Sequence, residues 1–83
     1  MIATYILQSE KDGSYYIGST GNLEERIIKH NKGYSRYTKT KLPWKLVYNE
    51  KHETLSEAKK REYYLKSLKS KIVLEKLING PIV

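Results

Sequence analysis

The sequence contains no cysteine, which excludes disulfide bonds and thiolate zinc sites as supports for this chain of 83 residues. It has only two histidines, too few without cysteine to form a zinc cluster. No apolar run approaches the roughly 20 residues of a membrane span, and the N-terminus becomes polar too soon for a signal peptide. The lack of cysteine fits a reducing compartment. We therefore expect one small domain over residues 1–83 that lies in the cytoplasm and not in a membrane.

Acidic residues are absent from one long segment of the chain. The whole sequence has 16 Lys and Arg against 9 Asp and Glu, a net charge of +7. Between Arg26 and Lys45 there are seven basic residues and no acidic one. Such a field suits a polyanion such as nucleic acid, although an ordinary solvated basic surface has the same composition. Charge therefore indicates a class of partner without identifying a site.

Alternating β-rich segments predict three strands, over residues 2–8, 14–19 and 44–48. Asp12-Gly13, between the first two strands, is a hairpin signal. Because successive side chains of a strand point to opposite faces, Tyr5 and Tyr16 share a face of this hairpin if its loop holds an even number of residues. An odd loop would place them on opposite faces unless a bulge restored the phase.

Capping residues predict three helices, from Asn22 to Gly33, from Thr54 or Ser56 to about Leu68, and from Ser70 through Ile78. The segment 32–42 is predicted to be a loop, and Gly80-Pro81 is predicted to end the last helix. The resulting order, ββαβαα, favours an α+β fold in which helices pack on a small antiparallel sheet.

One carboxylate interrupts the apolar face of the second helix. On a helical wheel Leu55, Ala58 and Leu65 form an apolar arc, and Glu62 falls inside it. Burying an unpaired carboxylate costs several kcal/mol, so Glu62 requires an arginine, a lysine or a metal ion beside it. The plainer alternative is that Glu62 lies at the edge of the stripe and pairs with Lys66, four residues further on. The sequence leaves both interpretations open.

A set of polar residues recurs in a characteristic order along the chain. Its members are Tyr5, Tyr16-Ile17-Gly18, Asn22-Leu23, Arg26, His30 and the segment Glu57-Ala58-Lys59-Lys60-Arg61-Glu62. The pattern resembles the GIY-YIG endonuclease superfamily, and most of all its short stand-alone bacterial members. Those proteins also carry a segment like Tyr37-Thr38 followed by Pro43-Trp44-Lys45-Leu46-Val47-Tyr48. The resemblance covers residues 2–78.

The resemblance implies a three-stranded antiparallel sheet flanked by helices, and metal-dependent hydrolysis of phosphodiester bonds in DNA. By position it implies five catalytic residues, namely Tyr5, Tyr16, Arg26, His30 and Glu62. Glu62 would also be the metal ligand, for Mg²⁺ or Mn²⁺. A two-metal site would require more acidic ligands than the sequence offers, so we expect one metal ion. Two features depart from the family pattern: the first triplet is Ala3-Thr4-Tyr5, and Ser19 stands where some members have a lysine.

The chemistry of phosphodiester hydrolysis suggests a role for each of these groups. Arg26 would pair with the phosphate and stabilise developing charge. A tyrosine would orient or deprotonate the attacking water, but its ordinary pKa of about 10 requires a nearby cation to lower it. His30, one turn from Arg26, would take the tyrosine proton. We expect Tyr5 to be the base and Tyr16 the orienting or phosphate-binding partner.

The segment 32–41 interleaves cations with aromatic residues, which is typical of a nucleic-acid contact. Its expected DNA-binding residues are Lys32, Arg36, Tyr37, Lys39 and Lys41. Tyr34 or Tyr37 would stack on an exposed base; alternatively, Tyr37 would anchor the segment against Trp44. No recognition helix is evident, so a partner protein is a candidate source of targeting.

Two other functions remain open at this point. The chain is alternatively a nucleic-acid-binding module of the same fold with little or no hydrolysis, or an interaction protein that presents its basic face to an acidic partner. The presence of all five polar residues in family order favours the enzyme.

Overall fold

The computed structural model describes residues 1–80 as a sequence of strands and helices in the predicted order. The elements are β1 (Ala3–Ser9), β2 (Tyr15–Thr20), α1 (Leu23–Asn31), a 3₁₀ helix (Thr38–Lys41), β3 (Trp44–Lys51), α2 (Leu55–Ser67) and α3 (Lys71–Asn79). The α+β fold class is confirmed. The 3₁₀ helix lies in the segment that we predicted to be a loop, and β3 continues to Lys51 instead of ending at Tyr48.

The three strands form an antiparallel sheet in the order β2-β1-β3, with β2 as an edge strand. In the β1–β2 ladder, Tyr5 lies opposite Gly18 and Leu7 lies opposite Tyr16. Gln8 and Tyr15 are paired, so the loop between them covers residues 9–14, an even number. Tyr5 and Tyr16 therefore project from the same face of the sheet.

The two faces of the sheet carry separate apolar clusters. One face packs under α1 and buries Ala3, Tyr5, Leu7, Leu23 and Trp44. The other face packs under α2 and α3 and buries Ile6, Ile17, Leu65 and Leu74. The molecule is therefore layered as helix, sheet and helices, and a residue of β2 projects toward one helical layer or the other according to its parity.

Capping residues begin all three helices where the sequence predicted. The Asn22 side chain accepts a hydrogen bond from the backbone N–H of Glu25, 3.2 Å away, and the Ser70 hydroxyl accepts one from Val73. Thr54, not Ser56, is the N-cap of α2 and forms a complete capping box with Glu57. Gly33 follows the end of α1 with a φ of 81°, and Gly80 ends α3 with a φ of 76°. Pro81 lies outside the described residues.

Helix α2 is held against the sheet by polar contacts as well as by its apolar face. The buried Thr4 hydroxyl donates to the carbonyl of Ala58, 2.7 Å away, and Arg61 Nε donates to Glu50 of β3 at 2.9 Å. The expectation that Leu55 belongs to the apolar face was wrong, because this residue is 40% exposed. The buried arc of α2 is centred on Ala58 and Leu65 and bounded by Arg61 and Glu62, which leaves Leu55 beyond its edge.

Within residues 1–80, no helix combines the length and the apolarity that crossing a bilayer requires.

Candidate active site

A buried tyrosine–histidine pair lies between β1 and α1. The Tyr5 hydroxyl is 2.9 Å from His30 Nε2, and the two residues are 1% and 2% exposed. His30 Nδ1 is 3.0 Å from the hydroxyl of Thr38, which is fully buried. A neutral imidazole has one donor and one acceptor nitrogen, so the Tyr5 and Thr38 hydroxyls must play opposite roles toward it. This hydrogen-bond chain connects β1, α1 and the 3₁₀ helix.

The helical repeat explains why a histidine of α1 is buried. Leu23, Ile27 and His30 are spaced by four and three residues, so they share the side of α1 that faces the sheet. His30 is therefore buried against the sheet and is not a surface histidine. Arg26, four residues before His30, lies on the flank of the same side and remains exposed.

Burial and charge both act on the titration of the pair. Burial lowers the pKa of His30, and the neighbouring Arg26 guanidinium lowers it further, so His30 is neutral at neutral pH. Burial also raises the pKa of Tyr5 well above its ordinary value, and the nearby Tyr16 and Glu62 act in the same direction. Arg26 opposes this shift but does not outweigh it. Arg26 alone therefore does not make Tyr5 a phenolate.

Tyr16 joins the pair from β2 and is half-buried. The centroid of its ring is 6.4 Å from that of Tyr5, 5.0 Å from that of His30 and 6.0 Å from that of Tyr37. Trp44 closes the cluster with its ring 6.2 Å from Tyr16, and its indole N–H donates to the Thr38 carbonyl at 2.8 Å. Thr38 thus anchors the segment on Trp44, while the neighbouring Tyr37 lies against Tyr16.

Gly18 is required by the close approach of Tyr5 across the ladder. A Cβ atom at position 18 would lie 2.5 Å from the Tyr5 hydroxyl oxygen and 2.6 Å from the ring carbon that carries it. Side chains do not approach this closely. Gly18 therefore makes room for the Tyr5 ring above β2.

Arg26 borders a cavity of about 280 Å³ whose other lining residues are Lys29, His30, Tyr34 and Ser35. Lys29 is paired with Glu25, with 2.9 Å between its Nζ and the carboxylate. Within residues 1–80, the Arg26 guanidinium has no carboxylate partner. It is therefore available to an anion that enters the cavity over His30.

Glu62 approaches the site from the other side of the sheet. It lies on α2, and its carboxylate accepts a hydrogen bond from Ser19 of β2 and one from Lys66, both at 2.5 Å. The side chain is 22% exposed and close enough to Tyr5 to help raise its pKa. The ion pair with Lys66 that the plainer interpretation predicts is thus present, together with a contact to β2 that it did not predict.

The structure brings four of the five predicted catalytic residues together and places the fifth, Glu62, apart from them. Tyr5, Tyr16 and His30 are in mutual contact, and Arg26 lies beside them. Glu62 contacts Ser19 and Lys66 instead, on the opposite side of the edge strand.

The donor set around Glu62 fits a single hard cation. The described residues contain no group of three or more His, Cys, Asp or Glu side chains placed to hold a metal ion. Mg²⁺ commonly takes one or two carboxylates and fills its remaining positions with water and substrate phosphate. Glu62 alone meets that requirement, provided that Lys66 releases one carboxylate oxygen.

Two polar residues that the family pattern includes were given no role in the site from the sequence. Thr38 holds His30, and Ser19 holds Glu62. Their place in the family pattern was a signal, but only the three-dimensional contacts reveal what the two hydroxyls bind.

The predicted DNA-binding cations differ in their exposure and in whether they already have a partner. Lys32, Arg36 and Lys39 are exposed. Lys41 Nζ instead lies 3.5 Å from the Asp12 carboxylate and 5.4 Å from the centre of the Tyr37 ring. Tyr37 remains 54% exposed.

Comparisons with known proteins place this geometry in a family. The family model described as "GIY-YIG catalytic domain" matches residues 1–77. A UPF0213 protein of Staphylococcus saprophyticus is 46% identical over 71 residues, which cover 84% of this chain and 87% of that protein. A UPF0213 protein of Clostridium perfringens is 52% identical over 65 residues, covering 77% of this chain and 69% of that protein.

A solved structure agrees with these sequence matches. The solution NMR structure of a UPF0213 protein from Bacillus halodurans superposes with a TM-score of 0.59 and 35% identity, covering 94% of this chain and 82% of that one. The chain therefore belongs to the GIY-YIG family, as the sequence pattern predicted.

Proposed function

We propose that this protein is an endonuclease that hydrolyses phosphodiester bonds of DNA with the help of one divalent metal ion. The observation that carries the proposal is the buried hydrogen-bond chain Tyr5–His30–Thr38 beside the unpaired guanidinium of Arg26. A proton acceptor and an anion-binding group that border one cavity are what phosphodiester hydrolysis requires. Membership of the GIY-YIG family supports the same reaction class.

His30 is the final proton acceptor in this proposal. With Nδ1–H donating to Thr38, Nε2 is free to accept the Tyr5 proton as the Tyr5 oxygen takes a proton from the attacking water. Because the pKa of Tyr5 is raised, the two transfers occur together and no free phenolate forms. Tyr16, whose ring adjoins both residues, orients the water or the phosphate.

Arg26 binds the scissile phosphate and stabilises the charge that develops on its oxygens. The same guanidinium lowers the pKa of His30 in the free protein. A bound phosphate offsets that charge, so binding of substrate makes His30 a stronger base. The base is thereby strengthened when the phosphate is in place.

Glu62 would hold the metal ion, Mg²⁺ or Mn²⁺, and the hydrogen bond from Ser19 orients its carboxylate. When bound, the metal supplies Lewis-acid stabilisation of the phosphoryl and leaving oxygens.

The test is a nicking assay on supercoiled and branched DNA in Mg²⁺ or Mn²⁺. Tyr5→Phe should lower the rate about 100-fold or more, the range typical for removing an acid–base group. Glu62→Gln should also lower the rate strongly, because it removes the charge that would bind the metal ion. Matched controls are Tyr63→Phe, whose ring is 79% exposed, and Glu53→Gln, an exposed residue. Equal rates for wild type, Tyr5→Phe and Glu62→Gln would refute the proposal.

A DNA-binding module without hydrolysis is the second candidate. The contact that favours it is the Lys66 ammonium on the Glu62 carboxylate, because that charge competes with a metal ion for the same oxygen. DNA binding without turnover in either metal would support this alternative.

A further inference from the structure

Two cavities along the edge strand β2 join into one groove. The first, of about 410 Å³, lies between β2 and the turn that connects α2 to α3, and the second, of about 350 Å³, lies between β2 and Tyr37. Both are lined by Tyr15, Ile17, Lys66 and Leu74, so they are continuous. The groove passes Tyr16 of the proposed active site at one end and reaches Lys69 at the other.

The far end of the groove is basic. Lys69 and Lys71 line it and are exposed, and neither is ion-paired with a carboxylate of residues 1–80. Lys69 adopts a left-handed conformation with a φ of 49°. Lys71 is the first residue of α3, where the helix dipole adds positive potential. The carboxylate in this cavity, that of Asp12, is paired with Lys41.

Aromatic surface lines the same path. Tyr15 is half-buried in the groove, and Lys71 Nζ lies 5.8 Å from the centre of its ring. Tyr16 and Tyr37 lie at the opposite end with ring centroids 6.0 Å apart. Cations interleaved with aromatic faces are the composition with which proteins track a nucleic-acid strand.

The groove adjoins the proposed catalytic groups at its centre, through Lys66, and at one end, through Tyr16. Lys66, which lines both cavities, contacts Glu62, and Tyr16 contacts Tyr5 and His30. An endonuclease must hold its substrate on both sides of the bond that it cuts. The basic segment 32–41 lies to one side of these groups, and the turn between α2 and α3 lies to the other.

We propose that the groove binds the DNA strand on one side of the scissile phosphate, with Lys69 and Lys71 contacting phosphates and Tyr15 contacting a base or sugar. This inference rests on the proposed function. The two free cations favour DNA over the other occupant of an edge-strand groove, a peptide that adds to the free edge of β2.

The experiment compares two double variants that remove the same charge. Lys69→Asn with Lys71→Gln alters the groove, and Asn suits the left-handed conformation at position 69. Lys59→Gln with Lys60→Gln alters exposed lysines of α2 that line a different cavity with Leu55 and Tyr63. Binding of a fluorescein-labelled DNA oligonucleotide is measured by anisotropy in EDTA over a salt series, after circular dichroism has verified that each variant is folded.

The groove variant should bind about tenfold more weakly at about 0.1 M salt, and its salt slope should be shallower by about 1.4–1.8, as expected for two lost phosphate contacts. The control variant should stay within about twofold of wild type. Equal losses in the two variants would overturn the groove assignment, and so would wild-type affinity in the groove variant. If wild type nicks DNA yet the variants bind it equally, this inference alone fails; if wild type does not bind DNA, the proposed function fails with it.

A second measurement reports the location directly. Titration of the ¹⁵N-labelled protein with the same oligonucleotide should shift the amide resonances of Tyr15, Ile17 and Lys71. Shifts confined to residues 32–41 would contradict the inference.

Discussion

At the scale of single residues, the site depends on the absence of a side chain at Gly18, which leaves space for the Tyr5 ring. Tyr5 reaches His30 only because Gly18, opposite it in the ladder, has no Cβ atom. The glycine of the Tyr16-Ile17-Gly18 triplet is thus a steric requirement of the Tyr5 position, in addition to any effect on the backbone.

Gly18→Ala should displace the Tyr5 ring and break its hydrogen bond to His30. Overpacking of a buried site costs about 1–3 kcal/mol, so the free energy of unfolding should fall by that amount, and nicking should be lost. Urea unfolding and the plasmid assay measure the two effects. Gly21→Ala is the matched control, because a Cβ atom there would have no neighbour within 4 Å. Equal behaviour of the two variants would contradict the steric explanation.

His30 should make stability depend on pH in a defined direction. Burial and Arg26 lower its pKa in the folded state, so the unfolded chain binds more protons as the pH falls below about 6.5. The stability linked to neutral His30 is therefore fully present above that pH and is lost as the solution becomes acidic.

The comparison is between wild type, His30→Gln and His52→Gln at about pH 7.5 and 5. The difference in free energy of unfolding between the two pH values should be smaller in His30→Gln than in the other two proteins. Asp12, whose pKa is lowered to about 2 by hydrogen bonds from Ser14, is common to all three. A pH dependence that is the same with and without His30 would show that the imidazole is not kept neutral by its surroundings.

The sequence identified the proposed catalytic residues better than the residues that hold them in place by hydrogen bonds. Tyr5, Tyr16 and His30 stand in family order, and the even loop brings the two phenols to one face. The roles of Thr38 and Ser19 could not be predicted, because they consist of hydrogen bonds to other elements of the fold. A hydroxyl in a polar segment has no periodicity that distinguishes a buried position from an exposed one.

At the scale of elements, the sequence predicted those features that depend on contacts between residues close together in the chain. The caps of all three helices were predictable because each is a bond between residues three apart. The 3₁₀ helix was not, because it is held by tertiary contacts of Thr38 with His30 and Trp44. The position of Leu55 was mispredicted because the orientation of α2 also depends on two polar residues, Arg61 and Glu62, which contact the sheet. A hydropathy pattern does not reveal such polar contacts.

Thr54→Ala should destabilise α2 by about 1 kcal/mol, because it removes the hydroxyl that accepts a hydrogen bond from the backbone N–H of Glu57. The reciprocal bond, from the backbone N–H of residue 54 to the Glu57 carboxylate, does not depend on the threonine side chain. Ser56→Ala, which changes the alternative cap suggested by the sequence, should alter the free energy of unfolding by no more than about 0.5 kcal/mol. Chemical denaturation of the two variants beside wild type makes the comparison. A larger loss for Ser56→Ala than for Thr54→Ala would mean that the helix begins elsewhere.

At the scale of the whole molecule, the proposed active site lies at the edge of the sheet and not at its centre. Tyr5, Tyr16 and His30 occupy one helical layer and Glu62 the other, with edge strand β2 between them. We propose that residues 1–83 act as one domain, since both layers share this sheet. A substrate that contacts both sets of residues has to cross β2.

The charge of the chain should govern its affinity for DNA. Each phosphate neutralised by a lysine or arginine adds about −0.9 to the slope of log K against log salt for duplex DNA, so binding should fall steeply between about 50 and 200 mM salt. Arg36→Gln with Lys39→Gln, both exposed, should reduce the slope by nearly two such contacts and weaken unrelated DNA sequences equally. A salt-independent affinity would favour the alternative of an acidic protein partner.

The single tryptophan of the chain, Trp44, lies where it can report on the site. It is 3% exposed, and its indole N–H binds the carbonyl of the same Thr38 whose hydroxyl holds His30. Excitation at wavelengths that spare tyrosine would therefore give an emission spectrum from one fluorophore, which is connected through Thr38 to His30, the proposed proton acceptor. The wild-type protein already contains the optical probe with which substrate binding and site rearrangement can be followed in real time, without a dye or a substitution.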